Sequence, residues 1–409
     1  MITKIDVSNY RTCLKTSFSP HPHLSVLIGP NGSGKTNLLH AIALLKQLAS
    51  ESRLVHGARE VPTVTSRIAV HFVAPTGSGR FVADVKTFTD ENNKDVIVGS
   101  RQRWFLDGIT KPRKPIDLPL FAGRYAHFDS HQELLFADDF VYRFRAPARS
   151  RPPIPKQAWS IIQSVATFLS QIQYYGASQF TNPTACAVSF EIEKGERFQR
   201  RQRMTGHATF LADLYEQYKR PKNTRYREFT ELVGPKGLRL IDAIAFKEIP
   251  TSSINYSVQA GGQIGEQKRS KMLVVPQLTV GKQTLSPNQL SEGTFRTLTL
   301  IFYLTTQAST LLLLEEPEVC VHHGLLASIL EIIKSHTRDK QVMLSSHSEL
   351  VLDHVEPENV FGVSFRPDTG TQVTSIAKSL SRPALQALRE YLQTEGNLGE
   401  YWRSGGLDQ

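Results

Sequence analysis

Eight residues near the start of the sequence, GPNGSGKT at positions 29–36, have the types and spacing that hold a phosphate group. They match the pattern Gly-x-x-x-x-Gly-Lys-Ser/Thr, between an apolar segment that predicts a buried strand and one that predicts a helix. Glycines let the backbone turn tightly and direct N–H groups at phosphate oxygens, and the positive helix N-terminus adds to the attraction. A glycine-rich turn that matches by chance is the alternative.

The predicted loop supplies specific groups for ATP and Mg²⁺. The Lys35 ammonium is expected to reach the β- and γ-phosphates, and the Thr36 hydroxyl is expected to bind Mg²⁺. The residues predicted to bind the nucleotide here are Asn31, Gly32, Ser33, Gly34, Lys35 and Thr36.

Two adjacent carboxylates follow a second apolar run, LLLLEEPE at 311–318. A continuous apolar run is typical of a strand buried on both faces of a parallel sheet, and ligands bind at the carboxyl ends of such strands. We expect Glu315 to hold Mg²⁺ and Glu316 to orient and deprotonate the attacking water. Two close carboxylates are costly without a cation, which favours a metal beside them. The alternative is two exposed glutamates after a strand.

A histidine ends another buried apolar segment, VMLSSHSEL at 342–350. His347 would lie at the same edge of the sheet as Glu315 if both segments are parallel strands. It is therefore a candidate for sensing or positioning the γ-phosphate. A single histidine after a strand is more often an ordinary surface or core residue.

The composition bounds the class of protein. The chain has 409 residues, of which 40% are hydrophobic and 21% charged, as expected for a globular protein with two or three domain-sized units. The net charge of +10 favours an acidic partner such as nucleic acid, a nucleotide or an acidic protein. A basic surface that serves only solubility is the alternative.

The cysteines and the N-terminus indicate the compartment. The three cysteines are widely spaced and form no CxxC pair, which argues against a disulfide framework or a zinc knuckle. The N-terminus has no apolar signal core, and no segment approaches the ~18 apolar residues of a membrane span. We expect a soluble, cytoplasmic protein with no membrane partner.

Predicted strands and helices alternate at the two ends of the chain. Strands and helices follow one another in the last third, which predicts βαβ units, so the start and end of the chain should share one sheet with the middle inserted. Short strands are expected between 239 and 280. A basic, helical segment is expected at 197–230, where either a solvated helix face or a nucleic-acid surface fits the charges. Its cations are Arg197, Arg200, Arg201, Arg203, Lys219, Arg220, Lys222, Arg225 and Arg227.

The motifs in this order resemble the ABC-type ATPase heads of the SMC, RecF and OLD families. The loop at 29–36 corresponds to Walker A, LSEGT at 290–294 to the signature, and LLLLEE at 311–316 to Walker B. The segments EEPEVCVHH and SSHSELVLD are especially similar to the OLD-like ATPases, many of them associated with phage defence. His323 stands where that group usually has proline. The resemblance covers roughly residues 1–45 and 285–409.

The resemblance implies roles for further residues. Arg11 corresponds to an arginine that contacts nucleotide phosphates, with a solvated turn residue as the alternative. Gln179 is the candidate Q-loop residue beside the magnesium and the attacking water. Ser291 is expected to cap the following helix and to approach a γ-phosphate, and Gly293 to let backbone N–H groups come close. In such heads this turn meets the nucleotide of a second copy, so two copies sandwich two ATP molecules.

The fold class predicted from the motifs is α/β. It is a P-loop NTPase of the ABC-head type, with a mixed sheet flanked by helices and a largely helical, basic insertion. The predicted boundaries are 1–140 for an N-terminal ATPase lobe, 141–238 for the insertion and 239–409 for a C-terminal lobe. The variant signature, LSEGT rather than LSGGQ, and the Glu-Glu end of Walker B both weaken a transporter interpretation.

The predicted function is an ATP-hydrolysing ABC-type ATPase that dimerises head to head around ATP. It would act as a sensor or switch that controls a partner effector in anti-phage defence. The alternative is a DNA-binding ATPase of the RecF or SMC type in DNA repair or maintenance. The expected partners are a second copy or higher oligomer, a separate nuclease or toxin, and nucleic acid at the basic insertion. A separate effector is expected because no TOPRIM-like carboxylate cluster follows His347.

Overall fold

The computed structural model describes most of the chain. It covers residues 1–50, 63–89, 95–111, 114–119, 127–128, 134–135, 154–176, 182–193, 207–220, 222–258, 264–306, 309–319, 321–338, 340–394 and 396–403. The chain forms two compact units. Unit 1 comprises Met1–Gly176, Ala308–Pro317 and Lys334–Gln409, and unit 2 comprises Ala177–Gln307 and Glu318–Ile333.

The strands, in chain order, are β1 (Ile2–Tyr10), β2 (Cys13–Phe18), β3 (Leu24–Ile28), β4 (Val64–Ala74), β5 (Gly77–Thr89), β6 (Asp95–Leu106), β7 (Ile116–Pro119), β8 (His127–Phe128), β9 (Leu134–Leu135), β10 (Ile172–Tyr175), β11 (Phe190–Glu193), β12 (Ala243–Val258), β13 (Ile264–Val280), β14 (Gln283–Leu285), β15 (Leu311–Glu315), β16 (Gln341–Ser346), β17 (Val360–Arg366) and β18 (Gly370–Ser375). The helices are α1 (Lys35–Ser50), α2 (Lys156–Ser170), α3 (His207–Tyr218), α4 (Thr224–Val233), α5 (Glu292–Thr306), α6 (His323–His336), α7 (Glu349–Leu352), α8 (Ile376–Ser379), α9 (Arg382–Thr394) and α10 (Leu398–Arg403).

Unit 1 contains a mainly parallel six-stranded sheet in the order β10-β15-β16-β3-β17-β18. The first five strands run parallel and β18 is antiparallel to β17. Every residue of β3, β15 and β16 is buried, as the continuous apolar runs predict. The start and end of the chain therefore do share one sheet, because β3 lies between β16 and β17.

A second six-stranded sheet of unit 1 is antiparallel, in the order β2-β1-β4-β5-β6-β7. Its strands alternate between buried and more exposed residues, so one face packs on the core. The first predicted strand thus lies in this sheet rather than beside β3. The mixed α/β architecture, with several sheets flanked by helices, agrees with the predicted fold class.

Helix α1 packs against strands of both sheets of unit 1. Its buried apolar residues form a broad face and belong to the same cluster as residues of both sheets, while Thr36, His40, Ala43 and Gln47 form a stripe that is only partly buried. A helix with a broad apolar face must bury that face against other elements. This burial fixes the N-terminus of α1 at the carboxyl end of β3.

Helix α2 and strand β10 also belong to unit 1. β10 pairs in parallel with β15, with Tyr174 opposite Leu313 and Tyr175 opposite Leu314. The compact units therefore divide the chain differently from the sequence-based boundaries at 140 and 238. Helix α2 and strand β10 lie beyond position 140 but belong to unit 1, and residues 239–307 belong to unit 2.

Unit 2 contains a sheet in the order β11-β13-β12, with β14 beside β13. The expectation of short strands here was wrong, since β12 and β13 have 16 and 17 residues. Proline lacks the N–H that a ladder needs. Pro250 lies on the edge strand β12, and Pro276 lies between the parts of β13 that pair with β11 and β14, so neither interrupts pairing.

Within the described residues, no helix is both long and apolar enough to cross a bilayer.

Candidate functional site

The loop at 29–36 joins β3 to α1 in unit 1, as its pattern predicts. Ser33 is buried, whereas Asn31 and Gly32 are exposed at the tip of the turn. The Ser33 N–H donates to the Pro30 carbonyl at 3.3 Å, which closes the turn. The loop therefore brings backbone N–H groups and the N-terminus of α1 to one place, where an anion is favoured.

Glycine is required at position 34. Its φ of +99° lies in a region that other residues rarely adopt. A Cβ there would lie 1.9 Å from the Thr371 Oγ1 and 2.6 Å from the Thr12 Oγ1. These two hydroxyls are themselves 2.9 Å apart. The loop is thus supported from behind by the β1–β2 turn and by β18.

Lys35 is almost fully buried, with 5% of its surface exposed. Its ammonium donates to the carbonyl oxygens of Gly29 at 2.8 Å and Pro30 at 3.0 Å. The cation is therefore held within the curve of the loop. A phosphate oxygen at this position would receive a charge-assisted hydrogen bond from it.

Thr36 and Glu315 meet although 279 positions separate them in sequence. The Thr36 hydroxyl donates to the Glu315 Oε1. The phosphate-binding loop and the end of β15 therefore meet at the carboxyl edge of the parallel sheet.

A buried hydroxyl lies on the same face of the sheet as Glu315. Ser345 lies directly opposite Glu315 in the parallel pairing of β15 and β16, so both side chains are on the same face. The Ser345 Oγ is fully buried and has no hydrogen-bond partner among the described residues. Hydroxyl and carboxylate oxygens, completed by phosphate oxygens and water, are the donors that Mg²⁺ takes. The residues present therefore fit Mg²⁺.

The second carboxylate oxygen of Glu315 has its own donor. The Tyr174 hydroxyl donates to Oε2 at 2.5 Å, and Nε2 of His40 lies 2.9 Å from the Tyr174 oxygen. Burial raises the pKa of Tyr174, and the hydrogen bond to Glu315 raises it further, so the phenol stays protonated. Burial lowers the pKa of His40, and Arg11 lowers it further, so the imidazole is neutral near pH 7.

Arg11 lies in the tight turn between β1 and β2, with φ +48°. Its guanidinium donates to Asp95 at 2.9 Å, and another N–H reaches Nδ1 of His40 at 2.9 Å. Arg11 is thus not a solvated turn residue. Asp95 and His40, together with the Asn37 Oδ1 at 3.4 Å, hold it beside the first turns of α1.

Glu316 and His347 follow the ends of neighbouring strands, β15 and β16. The Nε2 of His347 is 3.5 Å from a carboxylate oxygen of Glu316. Glu316 has φ +44°, which is uncommon for a residue other than glycine and is held by its N–H bond to the Ser345 carbonyl at 2.9 Å. Backbone strain of this kind concentrates at functional sites. Both side chains remain partly exposed, so water can reach them.

The signature turn belongs to unit 2. Ser291 precedes α5, and its Oγ accepts a hydrogen bond from the Thr294 N–H at 3.2 Å, so it is the N-cap of the helix, as the sequence predicts. Gly293 lies in the first turn of α5. Ser291 is exposed and Gly293 partly exposed. The Q-loop candidate Gln179 lies outside the described residues.

The basic segment is described only in part, since Arg197, Arg200, Arg201 and Arg203 lie outside the described residues. Within it, Lys219 pairs with Glu248 at 2.8 Å, and Arg220 pairs with Glu216 one helical turn earlier. Lys222, Arg225 and Arg227 are exposed. The tyrosines among these cations pack in unit 2, where Tyr215 and Tyr218 contact the ring of Phe246. Their rings therefore contribute to the aromatic packing of unit 2.

The sequence did not reveal Tyr174, His40, Asp95 or Ser345 as site residues. His40 had a local signal, because it is four positions after Thr36 and therefore on the same helix face. Tyr174, Asp95 and Ser345 had none, since strand pairing and packing bring them to the site.

Two family models match parts of the chain. A model described as an AAA ATPase domain matches residues 1–110, and one described as "AAA domain, putative AbiEii toxin, Type IV TA system" matches residues 178–353. Over these two stretches the chain is similar to AAA-type ATPase domains. The two matches include the Walker A loop, the signature turn and the Walker B strand.

The similar curated proteins are RecF proteins. The DNA replication and repair protein RecF of Anaeromyxobacter sp. (strain Fw109-5) is 26% identical over 249 residues, and the match spans 58% of each protein. RecF of Desulforamulus reducens is 44% identical over 117 residues, 29% of each. The chain thus spans less than two thirds of either relative. Among solved structures, an SMC head bound to the C-winged helix domain of ScpA has a TM-score of 0.49 at 14% identity, covering 92% of this chain and 98% of that one.

Proposed function

We propose that this chain is a Mg²⁺-dependent ATPase of the SMC/RecF type. The observation that carries the proposal is the hydrogen bond between Thr36 and Glu315, which joins the phosphate-binding loop to the end of the second motif strand. Chance resemblance of two short motifs would not place them in contact across 279 positions. The matched ATPase models support the same activity.

The side chains have distinct tasks in this reaction. Lys35 and the loop N–H groups hold the β- and γ-phosphates, while Thr36 and Glu315 would hold Mg²⁺. When bound, the cation neutralises charge on the phosphate oxygens. Glu316 orients a water for attack on the γ-phosphorus and accepts its proton, and the bond to the ADP oxygen breaks. His347, beside Glu316, is placed to contact the γ-phosphate or that water.

Two copies would close around two ATP molecules. The support is Ser291, an exposed hydroxyl at the N-terminus of a 15-residue helix, which is a favourable site for a phosphate. In this arrangement each copy supplies its signature turn to the nucleotide of the other, an isologous pair. ATP binding would favour closure and hydrolysis would reopen the pair.

The process that this cycle serves is, in our proposal, a DNA transaction of the RecF or SMC kind. Similarity to the RecF proteins and the net charge of +10 support it. Duplex DNA should bind with an affinity that falls steeply as salt is raised, and it should change the rate of phosphate release. Filter binding at 50 and 200 mM salt, with ATP turnover measured with and without DNA, tests this. No DNA binding at the lower salt would contradict it.

A second candidate is a switch that restrains or releases a separate effector during phage infection. It is favoured by the OLD-like segments at 315–323 and by the description of the model that matches residues 178–353, which names a toxin system. Expression together with the neighbouring gene, followed by phage challenge, tests it. Equal plating with wild-type protein and with Lys35→Ala would count against this role.

The ATPase itself is tested on the purified chain. We expect phosphate release from ATP that requires Mg²⁺, and a mass that doubles in ATP when hydrolysis is blocked by Glu316→Gln. Steady-state phosphate assays and analytical ultracentrifugation give these two readouts. A chain that neither binds nor hydrolyses Mg²⁺-ATP would overturn the proposal.

A further inference from the structure

A line of hydrogen bonds in unit 1 runs from the antiparallel sheet to the carboxylate at the end of β15. Asp95 accepts from Arg11 at 2.9 Å, and Arg11 contacts Nδ1 of His40 at 2.9 Å. The Nε2 of His40 contacts the Tyr174 oxygen at 2.9 Å, and the Tyr174 hydroxyl donates to Glu315 at 2.5 Å. Four of these five residues come from separate elements, and Arg11 comes from the turn after β1.

The chemistry of the groups fixes the direction of every bond in this line. A guanidinium has only donors, so Nδ1 of His40 must accept, and the proton of the neutral ring is then on Nε2. Nε2 therefore donates to the Tyr174 oxygen. The Tyr174 hydroxyl in turn has its proton available for Glu315. Arg11 thus selects the imidazole tautomer that the tyrosine needs.

The line makes the two oxygens of Glu315 unequal. Oε2 is bonded to Tyr174, and Oε1 is bonded to Thr36. The carboxylate is held in one rotamer with Oε1 directed at the hydroxyl that would share the cation. A ligand that is held by a second hydrogen bond binds a metal more tightly, because less freedom is lost on binding.

We propose that Tyr174 and His40 are positioning residues that set the metal affinity of the site by orienting Glu315. The inference rests on the proposed use of Mg²⁺-ATP at this site. Tyr174 holds the carboxylate oxygen, His40 orients the Tyr174 hydroxyl, and Arg11, anchored by Asp95, fixes the tautomer of His40.

The alternative is that these bonds only satisfy buried polar groups and stabilise the fold. The two accounts differ in what a hydroxyl deletion changes. A structural role predicts a lower melting temperature with unchanged metal affinity. A positioning role predicts weaker metal binding at nearly constant melting temperature, since Tyr174→Phe keeps the ring and its packing.

The experiment measures Mn²⁺ binding to the full chain with saturating ATP by electron paramagnetic resonance, together with thermal unfolding. Tyr174→Phe should raise the Mn²⁺ dissociation constant by about 10-fold to 100-fold, the range for loss of an outer hydrogen bond to a metal ligand. His40→Leu should weaken binding in the same way. His40→Gln retains a donor for Tyr174 and should recover part of the affinity.

Tyr215→Phe is the matched control. It also removes a tyrosine hydroxyl that donates to a glutamate, at 3.0 Å to Glu248, but in unit 2. Its Mn²⁺ affinity should equal that of wild type. If wild type binds Mn²⁺ and the dissociation constant of Tyr174→Phe is within twofold of the wild-type value, this inference is overturned and the proposed function is not. A wild-type chain that binds no Mn²⁺ with ATP would overturn the proposed function itself.

Discussion

The imidazole of His347 lies 3.5 Å from the carboxylate of Glu316, across the ends of two adjacent parallel strands. Glu316 also has a positive φ, so its side chain leaves the strand in a direction that β15 alone would not give. The two residues have partly exposed side chains, whereas Glu315 is almost fully buried. The two glutamates of the motif therefore have different environments, and this supports different roles for them.

Replacing Glu316 separates catalysis from binding. Glu316→Gln removes the proton acceptor but keeps the size of the side chain, so turnover should fall by about 100-fold to 10,000-fold. ATP affinity should stay within severalfold of wild type, and the ATP-bound dimer should persist. Phosphate release and sedimentation measure these effects. Glu356→Gln, an exposed glutamate elsewhere in unit 1, is the control. Hydrolysis at the wild-type rate in Glu316→Gln would show that Glu316 is not the base.

Lys35→Ala tests the phosphate-binding loop. The ammonium is expected to form a charge-assisted hydrogen bond to phosphate, so its loss should weaken ATP binding by about 10-fold to 100-fold. Titration calorimetry with ATP gives the affinity. Lys46→Ala, on the same helix, removes a lysine that donates to Gln173 and should bind ATP normally. Equal ATP affinity of Lys35→Ala and wild type would contradict the assignment of the loop.

Residue types and local spacing predicted the parts of the site that are continuous in sequence. The loop at 29–36, the carboxylates after β15 and the N-cap Ser291 each have a local pattern, because each depends on one turn or one strand end. Tyr174 has no such pattern. It reaches Glu315, 141 positions away, only because β10 pairs with β15, and the sequence does not encode that pairing locally. The lengths of β12 and β13 were not predicted either; each strand contains a proline, and a proline interrupts pairing only where a neighbouring strand needs an N–H at that position.

Ser291 is predicted to act both as a helix cap and as a contact to a second copy, and two substitutions separate these roles. Ser291→Asp retains an N-cap acceptor, so the stability of the fold should be nearly unchanged. Its negative charge would repel a γ-phosphate, so ATP-induced dimerisation and hydrolysis should fall. Ser291→Arg should lose about 1 kcal/mol from the missing cap and also block closure sterically.

Monomeric ATP affinity should be preserved in both Ser291 variants, because the Walker A loop is untouched. Nucleotide titration, sedimentation with ATP and thermal unfolding give the three readouts. Normal turnover in Ser291→Asp would leave Ser291 with its helix-capping role alone.

The stability of the chain should depend on pH partly through His40. The pKa of His40 is lowered mainly by burial and further by Arg11, although the carboxylates of Glu315 and Asp95 oppose these effects. Below the ordinary histidine pKa of about 6.5, this histidine therefore binds a proton more readily in the unfolded chain than in the folded chain. The contribution of His40 to the free energy of unfolding is therefore complete above this pH and is lost as the pH falls below it.

His40→Gln removes this titratable group. Between pH 7 and pH 5.5, the free energy of unfolding should therefore fall less in the variant than in wild type. These two values bracket the ordinary histidine pKa of about 6.5. Urea unfolding at the two pH values measures the difference. His21 and His71 also have lowered pKa values, but both remain in the variant and their effects cancel in the comparison. An equal loss of stability in both proteins would mean that the pKa of His40 is not lowered in the folded chain.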